Sequence, residues 1–223
     1  MTVLTSGERQ VNVPDTLSAS YIAVRWPRLY HMTEAGSWSS VKRHGLLSTT
    51  ALLDLFEVSG PDRDRIEASR RGHPVVIEHP EHGRAVIHDN RPINVNVLRR
   101  ALVGMSEPEW YRTLNRRVFF WLTEKRLDTL CAAPSNRGRL HDILIFDTSA
   151  VLEAYASDVE LTHLNAGAVR TTLHPRGAET FRSIADYPWS QRSRIARSEP
   201  IVELTLPRSL PDPADFVVEV QTR

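Results

Sequence analysis

In Pro200-Ile201-Val202-Glu203-Leu204-Thr205-Leu206-Pro207 a carboxylate stands inside an otherwise apolar segment. An ionised carboxylate is rarely set among valines and leucines without a partner or a purpose. Glu203 is therefore the candidate catalytic residue, with an outward-facing strand glutamate as the bland alternative. A second candidate group lies in Arg28-Leu29-Tyr30-His31-Met32-Thr33. Imidazole can donate or accept a hydrogen bond, and a threonine hydroxyl can do both. A histidine at a strand end is more often structural, so His31 and Thr33 gain weight only from what surrounds them. A third block, Arg117-Val118-Phe119-Phe120-Trp121-Leu122, is aromatic. Strand alternation sends Phe119 and Trp121 to one face and Phe120 to the other, so at least one face is core.

Charge marks a fourth region. Val169–Ser198 carries six arginines (170, 176, 182, 192, 194 and 197) against Glu179 and Asp186, a local balance of +4. Tyr187 and Trp189 are interleaved with them, which makes phosphate contacts and base stacking both available. Arg192, Arg194, Arg197, Tyr187 and Trp189 are the candidate substrate-binding residues; a solvated arginine-rich loop is the alternative. His79 and His82, with His73 and His88 nearby, suggest a metal cluster. Around a hairpin turn, however, spacings of three and six residues do not converge reliably, and no metal is expected.

These residues need elements to hold them. A helix is expected over Thr16–Val24, and a short strand over Leu29–Met32. Ser37–His44 reads as a short helix that Gly45 ends. Thr50 can cap a helix over Leu52–Val58, and Pro61 opens another that runs to about Arg71. Pro74–Glu78 and Arg84–His88 read as a hairpin. Asn94–Leu102 is helical, and Ser106 caps Pro108–Leu114. Val118–Leu122 is an apolar strand, after which Thr123 caps Glu124–Ala132. Asp142–Phe146 is a buried strand. Gly167–Glu199 reads as loops and short helices. Ile201–Leu206 and Phe216–Val220 are the last strands, separated by a proline-rich turn. Helices dominate the first half and strands the second, which predicts an α+β fold. Residues 1–20 are expected to form a flexible N-terminal segment, and 21–223 a single domain.

At 223 residues and 41% hydrophobic, the chain can bury one real core. No run reaches the roughly 18 apolar residues of a membrane helix, and no secretory h-region opens the chain. Cys131 is the only cysteine, which excludes an internal disulfide and a cysteine-based zinc site. A cytoplasmic location without membrane contact is the expectation. The net charge of +1 favours no class of partner. Only Lys42 and Lys125 are lysines, so the other 26 basic residues are arginines. Arginine forks suit phosphates and carboxylates, although a GC-rich genome would enrich arginine everywhere. There is no G-x-G-x-x-G, no P-loop, no H-E-x-x-H and no G-x-S-x-G.

A strand ending in H-x-T, then a short helix, then Gly45-Leu46-Leu47, resembles the opening of the ADP-ribosyltransferase superfamily. The chain is most similar to DarT-type DNA ADP-ribosyltransferases. Arg117–Leu127 is similar to the aromatic strand and helix found mid-chain in that family. Glu203 matches its catalytic glutamate on a late apolar strand, with Arg194 and Arg197 before it and a proline-containing turn and last strand after it. Asp142–Asp147 and Leu164–Gly167 fall between these blocks in the expected order. Two regions depart from the pattern: Arg63–Arg71 with its following hairpin, and Val169–Ser198.

The resemblance implies an ADP-ribosyltransferase-like fold, in which a split, mostly antiparallel sheet flanked by helices forms an NAD cleft. It implies an enzyme that breaks the nicotinamide–ribose bond of its co-substrate NAD and transfers ADP-ribose to a nucleic-acid base, DNA favoured. Glu203 would stabilise the oxocarbenium-like ribosyl cation. His31 and Thr33 would grip NAD, Phe119 and Trp121 would line the nicotinamide pocket, and an arginine would neutralise the pyrophosphate. Arg70 and Arg71 are candidates for that arginine by position only. A toxin role is implied, with an antitoxin or reversing hydrolase as a further partner. The alternatives are transfer to protein, a small molecule or water; an RNA 2'-phosphotransferase, against which Glu203 argues; and a non-catalytic NAD- or nucleotide-binding module.

Overall fold

The computed structural model describes residues 14–90, 92–171 and 173–223. Of the expected flexible segment, residues 1–13 lie outside the described residues. α1 (Ala19–Arg25) begins within that segment, and the Ser18 hydroxyl caps it by accepting from the Tyr21 N–H. β1 (Arg28–Glu34) extends the expected strand in both directions. α2 (Trp38–His44) ends where Gly45 takes φ +88°, a backbone conformation suited to glycine. β2 (Leu46–Leu47) follows. α3 (Thr49–Leu55) is capped by Ser48 rather than Thr50, whose hydroxyl instead donates to the buried Glu67. α4 (Gly60–Glu67) stops short of Arg71, and side chains bond the carbonyls of its last turn. The Ser69 hydroxyl donates to Arg65, and Arg71 donates to Ile66.

β3 (Val75–His79) and β4 (Gly83–Ile87) form the expected hairpin. α5 (Val95–Ala101) is capped by Asn94. In α6 (Glu107–Asn115) the Glu109 carboxylate accepts from both the N–H and the hydroxyl of Ser106. The remaining elements are β5 (Arg117–Trp121), α7 (Glu124–Cys131), β6 (His141–Asp147), α8 (Thr148–Tyr155), β7 (Glu160–Thr162), β8 (Arg182–Ser183), α9 (Trp189–Ile195), β9 (Glu203–Pro207), β10 (Ser209–Leu210) and β11 (Val217–Thr222).

The chain is α+β. Its main sheet has seven strands in the order β11-β6-β1-β5-β9-β7-β8, all pairs antiparallel. The three motif-bearing strands β1, β5 and β9 are consecutive. Their joins are unequal. β1 pairs with β6 over seven residues and β5 with β9 over five, but β1 meets β5 only at Tyr30 opposite Trp121. Beyond that pair the two strands part, and a cleft opens between them.

Each strand divides its residues between two environments. Leu29, Val118, Phe120, Leu144, Phe146, Leu204 and Leu206 pack in the largest core, with Ile22 and Trp26 of the first helix region and Val151 and Leu152 of α8. The alternate residues of β5 and β9 are polar or aromatic: Arg117, Phe119, Trp121, Glu203 and Thr205. Phe119 packs partly against a second core around α5 and α6, whose Leu98, Trp110 and Tyr111 are buried. Among the described residues, no helix is long and apolar enough to cross a membrane.

Candidate functional site

The cleft between β1 and β5 has two chambers. One, of about 320 Å³, is lined by His31, Phe119, Trp121, Glu203, Arg71, Arg117, Asn136 and the segment Asn165, Gly167, Ala168. The other, of about 610 Å³, is lined by His31, Thr33, Glu34, the serines of α2 and its approach, and Arg71, Arg84, His88 and Asp89. His31, Arg71, Arg117, His88 and Phe119 line both, so the chambers join.

Glu203 opens β9 directly opposite Trp121 on one side and Thr162 on the other. It is only 3% exposed. The Ala166 N–H donates to its Oε2 at 3.1 Å. Burial pushes its carboxyl up to about 8, against smaller lowering effects from the Ala166 bond, Arg126 and Arg176. The group can thus release or hold a proton near neutral pH, and a positive charge arriving in the cleft would favour its ionised form.

His31 lies one residue beyond Tyr30, so alternation turns it to the face opposite Trp121 and Glu203. It reaches the cleft because β1 and β5 have already separated. Its Nδ1 lies 2.8 Å from the Phe119 carbonyl oxygen. Burial lowers its pKa below the ordinary 6.5, His88 lowers it further, and the Phe119 bond opposes the shift. The neutral ring donates through Nδ1, so Nε2 is an acceptor. Thr33 shares a 3.0 Å hydrogen bond with Ser37 and lines only the larger chamber.

Arg70 and Arg71, adjacent in sequence, have different surroundings. Arg71 is on the cleft wall, where Nε donates to the His88 carbonyl and Nη1 to the Ile66 carbonyl and Asn115 Oδ1. Burial lowers its pKa to about 10, leaving it a cation held largely by neutral acceptors. Arg70 donates to the Ile93 carbonyl and lines a separate pocket.

The arginine-rich segment departs from expectation. Tyr187 and Trp189 are 5% and 4% exposed, within the main core. The Tyr187 hydroxyl donates to the Pro200 carbonyl, and Trp189 Nε1 to Pro14 at 2.8 Å. The expected base-stacking role is therefore corrected. Their rings carry too much apolar area to stay outside once α9 docks, and their polar tips are satisfied internally. Arg192 and Arg194 are on α9 and Arg197 follows it, with Arg194 and Arg197 exposed. Arg182 pairs with Glu179. Arg176 is 3% exposed and donates to the carbonyls of His174, Ala168 and Asn165, which pins the loop that holds Glu203.

Sequence reasoning missed several cleft residues. Arg117 pairs bidentately with Glu160, at 2.6 and 3.0 Å, through the face that alternation shares with Phe119. That parity was available. Asn136 and the clamp by Arg176 had no local signal, and His88 stood out in the sequence only as one of the hairpin histidines. Arg126 holds Glu199 bidentately and lowers the Glu203 pKa from a distance. Among the described residues, no group of three or more His, Cys, Asp or Glu could hold a metal ion.

A family model described as a family of unknown function, DUF7002, matches residues 27–217. No curated protein and no solved structure matches the chain.

Proposed function

The chain belongs to the family of unknown function DUF7002, and we propose that it is an NAD-dependent ADP-ribosyltransferase of ADP-ribosyltransferase-like fold. The observation that carries this reading is the shared cleft: His31 and Glu203 line one chamber, 172 positions apart in sequence, with Phe119 and Trp121 beside them.

The reaction breaks the bond between the ribosyl carbon and nicotinamide nitrogen, and the electron pair leaves with nicotinamide. Positive charge builds on the ribose, as in glycoside cleavage. A buried carboxylate next to that charge acts in a low dielectric, where its stabilisation is strongest. Glu203 has that burial, and its single backbone donor leaves further lone pairs for a ribose hydroxyl. The acceptor nucleophile then bonds to the ribosyl carbon, and its proton passes to Glu203 or to water. The His31 Nε2 acceptor suits a ribose hydroxyl donor. Arg71 supplies positive charge beside both chambers, appropriate to a pyrophosphate.

A nucleic-acid base remains the favoured acceptor, with protein, a small molecule and water as the other recipients. The decisive experiment is nicotinamide release from labelled NAD, run with separate DNA, RNA and protein pools. Label in the DNA pool supports the full reading. Nicotinamide release without label in any pool makes the chain an NAD hydrolase. A melting shift with NAD and no nicotinamide release makes it a binding module.

A further inference from the structure

A second pocket, of about 570 Å³, adjoins the cleft through a shared wall at Pro92. Backbone bonds build that wall. The Val169 N–H donates to Pro92 at 3.1 Å, the Asn94 N–H donates to Val169 at 2.7 Å, and Ile93 bridges Val169 in parallel. The pocket carries a guanidinium from each of two distant segments, Arg70 and Arg170. Arg70 Nε donates to the Ile93 carbonyl at 2.9 Å, which fixes the base of its fork on the wall. Pro92 and Val95 add apolar surface beside the charge.

The same loop serves both sites. Ala166 donates to Glu203, Ala168 lines the cleft, and Val169 and Arg170 line the second pocket. Four residues span at most about 14 Å of backbone, so one short loop carries both the Glu203 contact and Arg170. Arg71 and Arg70 repeat the division, one on each side of the wall.

We infer that this pocket binds the phosphate of a nucleotide, and that in the transferase reading it seats the acceptor strand next to the reacting base. Guanidinium forks match phosphate oxygens bidentately, and the apolar wall offers a surface for sugar or base. The acceptor role rests on the proposed activity; the phosphate site does not.

The test uses the full chain and Arg170→Gln, a change at an exposed residue, together with the double variant Arg70→Gln/Arg170→Gln. Fluorescence anisotropy with a single-stranded thymidine tetranucleotide is competed with thymidine monophosphate, thymidine, duplex DNA and an oligo-aspartate peptide. Thymidine monophosphate should compete and thymidine should not. Arg170→Gln should weaken the tetranucleotide about tenfold and reduce its salt slope by about 0.7. The NAD-induced melting shift should be unchanged. Arg170-dependent binding of fluorescently labelled thymidine monophosphate, without binding of the tetranucleotide, assigns a free nucleotide and overturns the acceptor role. Equal affinity in wild type and Arg170→Gln, or competition by oligo-aspartate equal to the monophosphate, overturns the phosphate site. Arginine-dependent tetranucleotide binding without any melting shift from NAD keeps the pocket and removes the transferase reading.

Discussion

The His31 Nδ1 lies 2.8 Å from the Phe119 carbonyl oxygen, bridging the two strands just where their backbone pairing has ended at Tyr30 and Trp121. The bond has two effects. It satisfies a carbonyl that the parted sheet no longer pairs, and it turns the opposite ring nitrogen into an acceptor at the junction of the two chambers.

His31→Ala should therefore weaken NAD binding more than it slows chemistry. A group gripping the ribose in ground and transition states contributes uniform binding, so its loss raises KM. It should also lower stability by about 1 to 2 kcal/mol through the orphaned carbonyl. Steady-state kinetics of nicotinamide release, alongside thermal melting, check both effects. A large fall in kcat with KM unchanged would contradict the ribose role.

Glu203→Gln should reduce nicotinamide release about a hundredfold or more, with the fold intact. In the wild type, kcat/KM should rise with pH up to about 8, the value set chiefly by burial, and fall about tenfold per unit below it. The stability effect has a definite sign. The folded pKa is raised from 4.5, so the contribution is fully present below pH 4.5 and is lost as pH rises through about 8. Glutamine does not ionise, so the variant should gain in melting temperature relative to wild type across that window. A difference in melting temperature that does not vary with pH would show that Glu203 keeps an ordinary pKa.

Arg71→Lys should destabilise the chain by about 2 to 4 kcal/mol, since a lysine cannot reproduce a fork that serves Ile66, His88 and Asn115 together. Denaturant unfolding measures this. A variant as stable as wild type would mean that the fork contributes little to holding α4 against β4 and α6.

Trp189→Ala should cost about 3 to 5 kcal/mol, as expected for a large core aromatic. Trp189→Phe should fold and leave nucleic-acid affinity unchanged. Selective loss of nucleic-acid binding in Trp189→Phe, with melting unaltered, would return the ring to the surface role its sequence context suggests.

Replacing Arg192, Arg194 and Arg197 with glutamine should flatten the salt dependence of nucleic-acid binding and leave NAD cleavage into water close to wild type. Filter binding over a salt series, paired with nicotinamide release, reads the two effects separately. Loss of NAD cleavage in the triple variant would move these arginines to the co-substrate.

The α+β class, most of the strands and helices and the two leading candidates for chemistry were legible in the sequence. Each depends on short-range pattern: Asn94 and Ser106 at helix starts, Gly45 at a helix end, and apolar runs at Val118–Leu122 and Asp142–Phe146. Glu203 stood out because a carboxylate among apolar neighbours is costly wherever the strand goes. Three things came only from tertiary structure. The faces of Tyr187 and Trp189 were decided by docking of α9 on the main core, because burial of apolar area depends on what lies opposite. Arg70 and Arg71 were separated only when Pro92–Asn94 packed beside Val169 and put a wall between them. The placement of His31 in the cleft depends on the parting of β1 from β5. Alternation along a strand determines the face of a residue while the ladder is intact, and carries no information about where the ladder ends.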